Sequence, residues 1–154
     1  MEIKRINSSE IYLVIDLFDK YRIFYKQQSD MVLARDFIRM RLDNNESVIF
    51  VALISDIDKL IPVGFTQLYP KFSSVRAIKN WILNDLYVEE EFRKQGIGEK
   101  LIKAAIDFSK ENKARFLELS TAIDNYTAQR LYEQIGFKKQ MPDNEFYSYR
   151  ISLT

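Results

Sequence analysis

The chain has 154 residues, 47% hydrophobic and 14% aromatic, and a net charge of +1, which fits one folded domain with a real core and argues against a general nucleic-acid binder. It contains no histidine and no cysteine, so Ser-His-Asp triads, thiolate nucleophiles and the usual zinc sites are excluded. No metal is expected, and any proton transfer falls to Asp, Glu, Tyr, Lys or water.

Residues 2–6 read as a short strand. Ser8 or Ser9 is expected to cap a helix to about residue 27, where Ile11, Val14, Ile15, Phe18, Ile23 and Tyr25 recur near helical spacing. Ser29 or Asp30 caps a second helix through Asp43, stopped by Asn44-Asn45. The period then changes: residues 47–55 and 60–69 read as strands around the turn at 56–59, and 71–79 leads into a strand over 81–88. A helix stripe of Ile97, Leu101, Ile102, Ala105, Ile106 and Phe108 ends near Asn112. Residues 116–121 follow as a strand parallel to 81–88, because a helix crosses over between them. Asp124 or Asn125 caps a last helix to Ile135, Gly136 ends it, and residues 137–140 and 145–153 are expected to close the chain as a hairpin. The order β-α-α-β-β-β-α-β-α-β-β describes an α/β fold, a mixed sheet with helices on both faces, in a single domain over 1–154. No apolar run reaches the length of a membrane span, and the start Met1-Glu2-Ile3-Lys4-Arg5-Ile6 does not read as a secretion signal. Together with the lack of cysteine, this leads us to expect a cytoplasmic protein with no membrane partner.

Three constellations carry chemistry. Arg93-Lys94-Gln95-Gly96-Ile97-Gly98-Glu99 leaves one strand and opens a helix, and it holds two of the chain's four glycines. Amides at such a start lack intrahelical acceptors and carry the positive end of the dipole, which suits a phosphate; the alternative is a plain helix start. Leu101 and the long connection exclude a dinucleotide fingerprint, and no G-K-[S/T] comes after the loop. Second, Asn125 and Tyr132 lie seven apart on one helix face, offering an amide and a phenol to an elongated ligand, or else a cap and a core aromatic. Third, Asn84-Asp85 interrupts an apolar strand. Asp85 therefore either faces a substrate or serves as a structural acceptor at a bulge.

Taken together, these segments resemble the GNAT N-acetyltransferase superfamily. Arg93-Lys94-Gln95-Gly96-Ile97-Gly98 matches its Gln/Arg-x-x-Gly-x-Gly/Ala signature, and Leu86-Tyr87-Val88 matches the strand end before that loop. Asn125, Ala128, Tyr132, Gly136 and Phe137 match the downstream helix pattern, and the element order agrees over 1–154. The resemblance implies acetyl-CoA in a cleft where the strands at 81–88 and 116–121 splay apart. Backbone groups of Leu86 and Val88, flanking Tyr87, would pair with the pantetheine arm, the Gln95 to Glu99 amides would hold the pyrophosphate, and Asn125 would contact the pantetheine. It also implies direct attack of an amine on the thioester in a ternary complex, with the Val88 N–H stabilising the oxyanion and Tyr132 protonating the departing thiolate. That donation runs uphill by roughly 2 kcal/mol between a phenol and a thiol of ordinary pKa, so position must assist it. Asp85, alone or through Asn84 and water, would take the ammonium proton.

Within the superfamily, residues 83–88 and Tyr21-Arg22 look like the polyamine and diamine acetyltransferases. This chain has Asn84 and Arg22 where those enzymes carry acidic residues, which removes negative charge from the acceptor pocket. Arg22 would then pair with a carboxylate on the acceptor, or is simply a surface arginine. The expected acceptor pocket is Tyr21, Arg22, Tyr25, Phe65, Gln67, Tyr69 and Asp85, and the expected partner is a small-molecule amine such as an amino acid or diamine. A homodimer is expected only on the ground of the resemblance. The rival reading is a non-catalytic acetyl-CoA-binding sensor or interaction domain.

Overall fold

Side-chain alternation along β2 (Val48–Asp56) decides the layering. Ile49, Val51 and Leu53 are fully buried in a core with Leu17, Phe18, Ala34 and Ile38 of the first two helices. Phe50, on the opposite face, meets the ring of Phe108 edge-on at 6.0 Å. Buried on both faces, β2 reads as an unbroken apolar run. The computed structural model describes residues 1–154, and the chain divides into two compact units, Met1–Ser120 and Thr121–Thr154.

In the first unit, β1 (Glu2–Arg5), β2, β3 (Lys59–Ser73), β4 (Ile78–Val88) and β5 (Leu117–Glu118) form a five-stranded sheet in sequence order. Every pairing is antiparallel except β4–β5, which is parallel across the helix α3 (Ile97–Glu111). The β2–β3 hairpin turns at Ile57 and Asp58, both with positive φ, as a tight two-residue turn requires. Helices α1 (Ile15–Phe24) and α2 (Met31–Asp43) pack on one face. On the other face α3 buries Ile97, Leu101, Ile102, Ala105 and Phe108, with Phe108 edge-on to Trp81 at 5.0 Å. Gly64 permits this close approach: a Cβ there would sit 2.8 Å from the Tyr87 carbonyl and 3.3 Å from Leu101. No helix is long and apolar enough to cross a membrane.

The second unit contains α4 (Tyr126–Ile135), capped by the Asn125 side chain on the Ala128 N–H at 3.2 Å and ended at Gly136. The expected closing hairpin does not form, and residues 137–154 carry no strand. The Asp143 carboxylate accepts from the N–H groups of Glu145 and Phe146 at 2.9 and 3.1 Å, taking donors that a strand would need there. A two-stranded ribbon is marginal without a sheet to join.

The first helix also differs from expectation. Asn7, rather than Ser8 or Ser9, caps a 3-10 helix (Ser8–Leu13) through a reciprocal box with Glu10, and α1 begins only at Ile15. The capping box closes one tight turn, and the non-helical backbone of Glu10 keeps that turn from running straight into α1. The second helix keeps its expected cap: Asp30 accepts from the Leu33 N–H at 3.0 Å.

Candidate active site

The site is built around an extra residue in β4. The ladder pairs Gln67 with Asp85 and Leu68 with Leu83, so Asn84 is bulged out and exposed while Asp85 turns inward. Asp85 is 2% exposed and has no cationic partner. Its carboxylate accepts instead from the Gln67 amide and from Asn84 Nδ2 at 2.7 Å, and the Tyr21 hydroxyl is close enough to favour its ionised form. Burial pushes the Asp85 carboxyl above the ordinary range, and these donors offset part of that rise. Burial and the nearby Asp85 charge push the phenols of Tyr21 and Tyr69 up in turn, so both stay protonated donors.

Beside this carboxylate lies a cavity of about 340 Å³. It brings together Tyr21, Arg22, Tyr69, Asn84 and Asp85, all candidates from sequence, with Phe18, Leu33 and Phe37. Three other candidates fall outside its lining. Phe65 is fully buried beneath the rings of Phe18 and Tyr21, and Gln67 is fully buried behind Asp85. Tyr25 ends α1 with its ring edge-on to Tyr21 at 5.0 Å. The three additions had a signal: Phe18 precedes Tyr21 and Arg22 by three and four positions, and Leu33 and Phe37 are four apart, so each set shares a helix face.

Arg22 has a partner within the protein. Its Nη1 lies 3.4 Å from Asp19 Oδ1 and 3.4 Å from the Gln28 carbonyl. Asp19 is 3% exposed and accepts from Ser29 Oγ at 2.6 Å and the Asp30 N–H at 2.9 Å. Those donors and the guanidinium outweigh burial and hold its carboxyl below the usual range.

β4 has an open edge. β5 pairs with it only at Trp81 and Ile82, and the Asn80 side chain fixes the start of β5 by accepting from the Arg115 and Phe116 N–H groups at 3.1 and 3.0 Å. Beyond that point the strands part. The Glu89 N–H bonds to Val63 on the β3 side, so alternation turns the backbone groups of Leu86 and Val88 to the open side. The Val88 carbonyl accepts from Arg93 Nε at 2.8 Å, and the guanidinium rests over the Tyr87 ring. Tyr87 itself donates to Glu89 at 3.3 Å, and Glu89 pairs with Lys20 of α1.

The glycine loop comes next along the chain. Lys94 and Gly96 both have positive φ (60° and 79°), and Gly96 precedes α3 with no side-chain cap. The amides of Ile97, Gly98 and Glu99 therefore begin a helix without acceptors of their own. Space is open around Gly96: a Cβ there would meet nothing within 4 Å. A cradle of this kind fits a pyrophosphate. The Gln95 side chain donates back to the Glu91 carbonyl at 3.3 Å, and Glu99 pairs with Lys103 at 2.7 Å. In the second unit Asn125 serves as the α4 cap, and the Tyr132 ring lies edge-on to Phe137 at 6.0 Å.

A family model described as Acetyltransferase (GNAT) family matches residues 11–137. The chain belongs to this family. The acetyltransferase is 40% identical over 153 residues to an uncharacterized N-acetyltransferase of Bacillus subtilis (strain 168), covering 99% of this chain and 98% of that protein. The crystal structure of a probable acetyltransferase superposes with a TM-score of 0.86 at 40% identity, over 100% of this chain and 99% of that one. The fold is also shared with an aminoglycoside N-acetyltransferase in complex with CoA, at a TM-score of 0.76 and 17% identity, over 97% and 95% of the two chains. With the family settled, the acetyltransferase is an acetyl-CoA-dependent acyltransferase.

Proposed function

We propose that the enzyme transfers acetyl from acetyl-CoA to a primary amine of a small molecule by direct attack in a ternary complex. The observation that carries this reading is Asp85: a buried carboxylate without a cationic partner, in the wall of a cavity, on the strand whose next residues present an open edge. At about 3.3 Å per residue, Val88 lies roughly 10 Å further along β4. Acetyl-CoA supplies an acetyl thioester, and every other contribution comes from the chain.

Leu86 and Val88 offer backbone groups to an extended pantetheine arm as a strand would, and the amides from Gln95 to Glu99 receive the pyrophosphate. Asn125 adds a contact to the arm. The Val88 N–H stabilises negative charge developing on the acetyl oxygen. Asp85 attracts the ammonium and, directly or through water held by Asn84, takes its proton; its raised pKa makes it a stronger base than an ordinary carboxylate. Tyr132 donates a proton to the leaving sulfur. With no cysteine or histidine in the chain, alignment of the two substrates supplies much of the rate. The absence of cysteine further supports a cytoplasmic setting.

The test is amine-dependent CoA release by the wild type and by Asp85→Asn. We expect release only when acetyl-CoA and an amine are both present, with the variant slowed by about a hundredfold. Release independent of amine, or an undiminished variant, contradicts the reading.

A further inference from the structure

Resting on that transfer reaction, we propose that the acceptor is a monoamine with an aromatic body, an arylalkylamine, rather than a polyamine or an amino acid. Two charged side chains line the cavity, Arg22 and Asp85. Arg22 faces the buried Asp19, whose carboxylate is fixed by Ser29 and Asp30. The guanidinium charge is thus matched within the protein, and the one charge without a counter-ion is that of Asp85. One carboxylate accommodates one ammonium. A second ammonium on the acceptor would find no counter-ion in the wall, and a carboxylate would meet Asp85 while finding Arg22 already paired.

Apart from the Asn84 amide and the hydroxyls of Tyr21 and Tyr69, the rest of the wall is apolar. Phe18 and Phe37 stack at 5.6 Å with planes 15° apart, and Phe18 stacks on Tyr21 at 6.3 Å and 18°. These near-parallel rings give the wall an aromatic surface that suits a flat aromatic group; the Arg41 guanidinium already lies over the Phe37 ring at 4.6 Å, so the ammonium is left to Asp85 and the Tyr21 phenol. Leu33 and Phe37 remain 50% and 36% exposed, an apolar rim that an apolar acceptor body would cover. The volume of about 340 Å³ sits at the small end of ligand cavities, enough for one ring and a short amine arm.

The test compares phenylethylamine, cadaverine and phenylalanine at matched concentrations with acetyl-CoA, following CoA release. We expect kcat/KM for phenylethylamine to exceed both others by about tenfold. Equal or better turnover of cadaverine or phenylalanine overturns the inference. Phe37→Ala, a change at a partly exposed position, should raise KM for phenylethylamine about fivefold while changing KM for propylamine little; equal effects on both amines also overturn it. If acetyl-CoA binds and no amine is turned over, the transfer reading falls, and calorimetry of the CoA-loaded protein judges the pocket by itself. Tighter binding of phenylethylamine than of cadaverine supports the inference, and the reverse order overturns it.

Discussion

Gln67 lies opposite Asp85 across the β3–β4 ladder and donates its side-chain amide to the Asp85 carboxylate, with both residues buried. The register shift at Asn84 makes this meeting possible, because the extra residue turns Asp85 to the helix-covered face where Tyr21 also reaches it. A charge that would be prohibitive in an apolar sheet is thereby supported by neutral donors, and no cation quenches it.

The pH dependence of activity derives from this pair. Acting as a base, Asp85 must be ionised, and burial raises its pKa from the ordinary value of 3.8. Activity should therefore fall as pH drops through a carboxylate pKa above that value. Gln67→Leu removes a donor that favours the ionised form and should move this acidic limb to higher pH. A pH–kcat/KM profile of both proteins checks the shift; coincident limbs would remove Gln67 from the role of holding Asp85 ionised.

How far the sequence could be read depends on the range of the interactions involved. Local signals held: Asp30 caps α2 at the Leu33 N–H, Asn125 caps α4, and the crossover through α3 makes β5 parallel to β4. Phe65, Gln67 and Tyr69, named for the acceptor pocket, do stand two apart along β3. Their depth was not legible. Phe65 is covered by Phe18 and Tyr21, and Gln67 by Asp85, and these coverings depend on where α1 docks and on a one-residue register shift. Arg22 read as available for an acceptor carboxylate because it stands where the resembling enzymes carry an acidic residue; that Asp19, three positions earlier, is buried and held to face it by Ser29 and Asp30 depends on tertiary packing. The alternation at residues 145–153 suggested a strand, but a strand needs a partner edge and free amides, and Asp143 takes the first two.

Asp19 should matter more for stability than for catalysis. Its removal leaves the Ser29 hydroxyl, the Asp30 N–H and Arg22 without their acceptor, so Asp19→Ala should cost about 3 kcal/mol of folding stability. Because the folded-state pKa lies below the unfolded value of 3.8, this stabilisation is present above that value and is lost as pH falls through the folded pKa. Urea unfolding at neutral pH and near pH 3 checks it: the gap between wild type and variant should narrow at the lower pH.

Gly64→Ala tests the approach of α3 to the sheet. The new Cβ would meet the Tyr87 carbonyl at 2.8 Å and must displace β4 near its open edge. A loss of about 1–3 kcal/mol is expected in denaturant titration, together with weaker acetyl-CoA binding. Unchanged stability would show that the sheet yields without cost.

The loop glycines should behave differently. Nothing lies within 4 Å of a Cβ at Gly96, but its φ of 79° disfavours any side chain. Replacing Gly96 and Gly98 by Ala should therefore weaken CoA binding by distorting the amide cradle, at about 1–2 kcal/mol for the left-handed residue. Calorimetry with CoA and with dephospho-CoA reads the change, and an intact affinity would contradict the cradle.

Direct transfer is tested by Tyr132→Phe measured beside the wild type. Both proteins are followed for amine-dependent CoA release and for acetyl-CoA affinity, and the protein mass is recorded after incubation with acetyl-CoA alone. Direct transfer through Tyr132 predicts unmodified protein, unchanged acetyl-CoA affinity, and a lower kcat for the variant at neutral pH. A mass gain of one acetyl group on the protein, or a variant as fast as the wild type, would contradict it.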